Sequence, residues 1–159
     1  MLKPSLEEVK ALAKQYNTIP VFYEFSADNQ TPLNIYTAFS GKSRNSFIFE
    51  SVSNGVQWDR YSFIGFAPKQ EIRISGKQAE IRTEKGTQTL AVEQPIAFLK
   101  EQMAAFHAPV IPGAPNFTGG LIGYFGYDTV RYMEKKLTNI PEDDIHMPDC
   151  HLFLYEELI

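Results

Sequence analysis

The chain has 159 residues, 43% hydrophobic and 21% charged, and its 15 Lys and Arg against 19 Asp and Glu leave a formal charge of −4, which argues against nucleic acid as a partner. This length suffices for one domain that buries roughly 68–70% of its unfolded surface, so neither metal nor disulfide is needed for folding, and the single Cys150 excludes an internal disulfide and points to a reducing cytosol. Apolar runs such as Gly119–Phe125 are far shorter than the ~18–20 residues of a membrane span, and MLKPSLEEVKALAKQ carries charges where a secretion signal needs an apolar stretch.

Ser5-Leu-Glu-Glu8 has capping-box spacing, and Val9, Leu12, Ala13 and Tyr16 follow on one helical face, which predicts an amphipathic helix from Ser5 to Tyr16. Thr18-Ile19-Pro20 ends it, and Val21–Phe25 is expected to be a strand. Thr31 as N-cap and Pro32 at the first helical position start a short helix carrying Leu33, Tyr36 and Phe39. Ser46–Val52 has a dense strand pattern, Asn54-Gly55 supplies a turn, and Arg60–Phe66 returns as a second strand. Glu71–Ser75, Glu80–Thr83 and Thr87–Val92 alternate polar and apolar residues between Gly-containing turns, predicting an antiparallel meander with one wet face. Pro95 opens a further helix with Ile96, Leu99, Met103 and Phe106 on one face. Pro109, Pro112 and Pro115 then predict an extended connector. Thr118–Asp128 is expected to be a strand, Thr129–Lys135 a helix, Ile140–Asp144 an acidic loop and Cys150–Leu158 a closing strand. Aromatic residues, 13% of the chain, suit pleated surfaces. The fold class is α+β, mainly antiparallel sheet with three or four packed helices.

Few residues carry a chemical signature of their own. Gly119, Gly120, Gly123 and Gly126 lack the spacing of a dinucleotide or phosphate loop, and close packing is the preferred reading. His107, His146 and His151 are far apart, and Cys150-His151, adjacent on a strand, must diverge to opposite faces, so no nucleophile pair or metal set follows. Glu142-Asp143-Asp144 reads as a solvated loop and Glu156-Glu157 as surface. The hairpin is more informative. Glu50 and Ser51 stand at the end of an apolar strand and Arg60 just after the turn, so an acid, a hydroxyl and a guanidinium can converge at one rim. Such a trio suits a zwitterion, the acid taking an ammonium and the arginine a carboxylate; the alternative is an ordinary Glu–Arg cross-strand pair.

Ser46-Phe-Ile-Phe-Glu-Ser-Val52, Trp58-Asp-Arg-Tyr-Ser-Phe-Ile-Gly65, Phe117-Thr-Gly-Gly-Leu-Ile-Gly-Tyr-Phe-Gly-Tyr-Asp128 and Met147-Pro-Asp149 with Leu152–Leu158 resemble, in this order, the N-terminal region of the anthranilate synthase component I family. The resemblance runs from the first helix to Ile159. It implies that residues 1–159 form the family's N-terminal regulatory domain, with the C-terminal chorismate-binding catalytic domain absent, in agreement with an end at Ile159 on an expected strand. For the full-length protein it implies conversion of chorismate, with ammonia from a partner glutamine amidotransferase, into anthranilate and pyruvate using Mg2+, in tryptophan biosynthesis in the cytoplasm. No catalytic residue and no bound cofactor are expected in this chain. The family's feedback inhibitor, L-tryptophan, contacts a Leu-Leu-Glu-Ser segment that falls on Ile48-Phe49-Glu50-Ser51, with both leucines replaced and the acid and serine kept. The resemblance therefore implies an effector site of Phe49, Glu50, Ser51 and Arg60. Two alternatives stay open: the N-terminal domain of aminodeoxychorismate synthase component I, in folate synthesis, or a structural domain that docks the amidotransferase and binds no ligand.

Overall fold

The computed structural model describes residues 2–50, 61–134, 136–140 and 142–159, which fall into two compact units. The residues up to Pro68, Phe106–Gly119 and Glu156–Ile159 form the first; Lys69–Ala105 and Gly120–Tyr155 form the second.

In the first unit β1 (Leu2–Lys3) pairs antiparallel with β2 (Phe22–Tyr23), shorter than the strand expected over Val21–Phe25. Between them α1 spans Leu6–Leu12. Its capping box forms as the spacing predicts: the Ser5 hydroxyl accepts from the Glu8 N–H, and the Glu8 carboxylate accepts from the Ser5 N–H at 2.7 Å. The helix ends a turn before Tyr16, and the chain leaves through tight turns. Asn17 and Thr18 then donate backbone hydrogen bonds to the carbonyl of His107. The helix α2 (Pro32–Ser40) starts where the Thr31 cap and Pro32 dictate, with the Thr31 hydroxyl accepting from the Asn34 N–H. Next, β3 (Phe47–Phe49) and β4 (Phe63–Gly65) form an antiparallel pair. The closing segment also returns to β4, where Ile64 and Ile159 exchange backbone hydrogen bonds at 2.8 and 2.9 Å.

The second unit is built on one antiparallel sheet. Its strands are β5 (Gln70–Ser75), β6 (Gln78–Thr83), β7 (Gly86–Ala91), β8 (Gly120–Phe125) and β9 (Cys150–Tyr155), in the order β7-β6-β5-β9-β8. The first three form the expected meander, whereas β9 inserts between β5 and β8. Strand alternation sends Ile72, Ile74, Ala79, Cys150 and Leu152 to one face, where they pack with Val92 and with Leu99 of α3 (Pro95–Ala104). Each buried Ile, Leu or Val among them contributes about 1.5–3 kcal/mol by burial. The opposite face carries Glu71, Arg73, Glu80, Arg82 and His151, the wet side that the polar positions predicted.

Three further expectations change. Where an α-helix was expected over Thr129–Lys135, a 3-10 helix spans Tyr127–Tyr132; the Thr129 hydroxyl is turned to the carbonyl of Asp149, 3.0 Å away, tying this segment to the start of β9. The proline-spaced connector is not uniformly extended, because Gly113 takes φ +82° and Ala114 donates to the carbonyl of Ile111 in a turn. The strand expected over Cys150–Leu158 stops at Tyr155, before the exposed Glu156 and Glu157.

Candidate functional site

The β3–β4 pair places Phe47 opposite Gly65, Ile48 opposite Ile64 and Phe49 opposite Phe63. Ile64 is buried, while the other face of the pair carries aromatic rings in mutual contact. Phe47 and Phe49 lie 4.9 Å apart by ring centroid, Tyr61 and Phe63 6.0 Å, and Phe63 meets Phe117 edge-on at 5.5 Å and 88°. Gly65 is what admits Phe47: a Cβ there would collide with the Phe47 ring. On the flank, Phe39 of α2 stacks on Phe66 with centroids 4.8 Å apart. The outer rings stay open to solvent, Phe49 being 54% and Tyr61 46% exposed.

Of the residues singled out from sequence, Phe49 closes β3 on this aromatic face, and Glu50 follows it directly and is exposed. Ser51 and Arg60 lie outside the described residues, as do the expected Asn54-Gly55 turn and Lys135. The rings of Phe47, Phe63 and Phe117 were not singled out. The alternation of Phe47 with Phe49 is a local signal for the first, whereas Phe117 reaches the pair from 54 positions beyond Phe63 (117 − 63) and no local pattern marks it.

Two polar constellations occupy the second unit. Glu71, with its side chain 12% exposed, accepts from Arg73 at 2.7 and 2.8 Å and from His151 Nε2 at 2.8 Å, with Arg82 at 3.6 Å. Burial works to raise the Glu71 pKa, but the hydrogen bond from His151 and the Arg73 charge outweigh it and hold the carboxyl below its ordinary value. Asp149 is the second hub. Its carboxylate accepts from the Gly76 N–H at 2.7 Å, in the β5–β6 turn, and from the Tyr132 hydroxyl. Burial, the hydrogen bond to Asp149 and that residue's charge all push the Tyr132 phenol upward. Cys150 and His151 do diverge: Cys150 is fully buried beside Thr129, and His151 stands on the polar face. An open apolar groove of about 350 Å³ lies between α3 and the sheet, lined by Ile96, Leu99, Met103, Leu121 and Phe125. Among the described residues no three His, Cys, Asp or Glu side chains form a group able to hold a metal. Nor is any helix among them long and apolar enough to cross a membrane.

No family model matches the chain. It is 40% identical over 159 residues to anthranilate synthase component 1 of Acetivibrio thermocellus, 39% over 155 residues to that of Pseudomonas aeruginosa, and 34% over 158 residues to that of Aquifex aeolicus. These matches take in 100%, 96% and 99% of this chain but 32%, 31% and 32% of the relatives, so the chain spans about a third of their length. Among solved structures, anthranilate synthase component I from Streptococcus pneumoniae is similar, with a TM-score of 0.50 and 26% identity, over 86% of this chain and 28% of that one. By fold this is an α+β chain of the kind found in that solved enzyme component. By sequence it resembles, throughout its length, the N-terminal region of the anthranilate synthase component 1 family.

Proposed function

We propose that this chain is the N-terminal regulatory portion of an anthranilate synthase component I, with an L-tryptophan effector site at the rim of the β3–β4 pair. The observation that carries the reading is identity of up to 40% along the whole chain to proteins of that name. In this reading the complete protein converts chorismate and ammonia into anthranilate and pyruvate, a component II amidotransferase supplies the ammonia from glutamine, and the larger catalytic portion binds chorismate and Mg2+. The chain described here contributes no catalytic group and is inactive alone.

The residue types assigned to the site support an amino-acid effector. Glu50 offers a carboxylate to the ammonium, Ser51 a hydroxyl, and Arg60 a planar fork to the carboxylate, while the exposed Phe49 beside its aromatic neighbours suits an indole ring. Feedback follows if tryptophan binds one arrangement of regulatory and catalytic portions better than another, since a ligand shifts an equilibrium only by its difference in affinity.

In the complete enzyme, Ser51→Phe or Glu50→Lys is expected to raise the tryptophan concentration for half-inhibition by about tenfold or more, a loss of ~1.4 kcal/mol, with uninhibited turnover nearly unchanged. Steady-state inhibition curves read both quantities. Turnover and inhibition falling together would assign these residues to folding instead.

A further inference from the structure

We infer that Phe117 is a positioning residue for this effector rim, acting through Phe63 on Phe49 and on the Glu50 that follows it. The inference rests on the effector reading above, and its structural basis is a short chain of contacts. Phe49 pairs directly with Phe63 across the β3–β4 ladder, so the two backbones are locked at that position. The ring of Phe63 in turn meets the half-buried Phe117 at 88°, an edge-to-face geometry that fixes ring orientation as well as distance. Phe117 comes from the connector between α3 and β8, so it anchors the rim from a segment outside the hairpin.

The outer members of the aromatic row show why an anchor matters. Phe49 and Tyr61 are each about half exposed and gain little from burial that would hold them in place. Phe47 lies over Gly65 and touches Phe49 from within β3, while Phe63 and Phe117 hold the Phe49 end from across the pair, where the effector would bind. Leucine at position 117 keeps apolar bulk but not the ring edge, whereas tyrosine keeps both.

The test is an NMR titration of the complete enzyme and of its Phe117→Leu and Phe117→Tyr variants with L-tryptophan, following the backbone amides of folded molecules. Phe117→Leu is expected to move the Phe49 and Glu50 resonances and to weaken tryptophan binding about tenfold; Phe117→Tyr is expected to restore both. Reading only folded molecules separates positioning from stability, because a merely structural role lowers the melting temperature and leaves the affinity of the folded fraction unchanged. Phe117→Met replaces the leucine variant if that one does not fold. A Phe117→Leu chain that binds as tightly as the original overturns the positioning role alone. A complete enzyme that ignores tryptophan overturns the effector reading, and this inference falls with it.

Discussion

Glu71 shows how one side chain ties stability to pH. Its carboxylate is held by Arg73 and His151 in a site where the side chain is 12% exposed. Its pKa in the folded chain lies below the ordinary 4.5, because the His151 hydrogen bond and the Arg73 charge outweigh the burial that opposes ionisation. A folded pKa below the unfolded one adds stability that is complete above 4.5 and is lost as pH falls through the folded value. The urea midpoint of the original chain is therefore expected to drop on acidification below that point more steeply than that of Glu71→Gln; parallel acid limbs would contradict this. Glycines offer a sharper contrast. A Cβ on Gly123 would meet the backbone carbonyl of His151 on β9, which cannot move without breaking the ladder, whereas a Cβ on Gly65 would meet the Phe47 ring, which can turn. Gly123→Ala is expected to cost about 1–3 kcal/mol and Gly65→Ala less, with the Gly65 change showing instead as a shift in Phe47 ring resonances. Equal urea midpoints for the two variants would refute the distinction.

Elements whose causes are local could be read in advance. Ser5 and Glu8 close a capping box three residues apart, Thr31 and Pro32 start α2, and Gly76 turns β5 into β6 with φ +56°. What escaped reading depends on distant partners. β9 enters the sheet between β5 and β8, pairing Cys150 with Ile74 and with Phe125, and nothing in its own apolar alternation names those neighbours. The 3-10 helix over Tyr127–Tyr132 likewise depends on Asp149, which accepts from Tyr132 by its side chain and from Thr129 and Gly126 by its carbonyl. Met147-Pro-Asp149 was legible only as a familiar string, and its physical role is to fasten that helix and the β5–β6 turn to the start of β9. Asp149→Ala is expected to cost about 0.5–1.5 kcal/mol by removing the acceptor of the Gly76 N–H and one of the two acceptors of the Tyr132 hydroxyl, which keeps the Gly76 carbonyl. In Asp149→Asn the Tyr132 phenol, raised first by burial and then by Asp149, is expected to titrate lower than in the original chain yet still above the ordinary 10.0. Ultraviolet titration of the phenols reads this directly, and an unchanged Tyr132 would show that Asp149 carries none of the shift.

For the chain as a whole, fold class followed from composition and periodicity, but the candidate site did not. Spacing alone left Glu50 and Arg60 as readily a surface ion pair as a ligand clamp, and it was the family resemblance that assigned Phe49, Glu50, Ser51 and Arg60 to an effector. The structure adds the aromatic row from Phe47 to Phe117 beside Phe49, a long-range assembly that local patterns do not encode. The relatives it matches are about three times its length, so regulation, if built as proposed, joins this portion to a larger one. The most direct measurement is a calorimetric titration of the 159-residue chain and of the complete enzyme with L-tryptophan, using L-phenylalanine as control. Saturable binding that is selective for tryptophan and abolished by Ser51→Phe is the predicted result. A complete enzyme that binds neither amino acid, or binds both alike and irrespective of Ser51→Phe, would contradict an effector site at this rim.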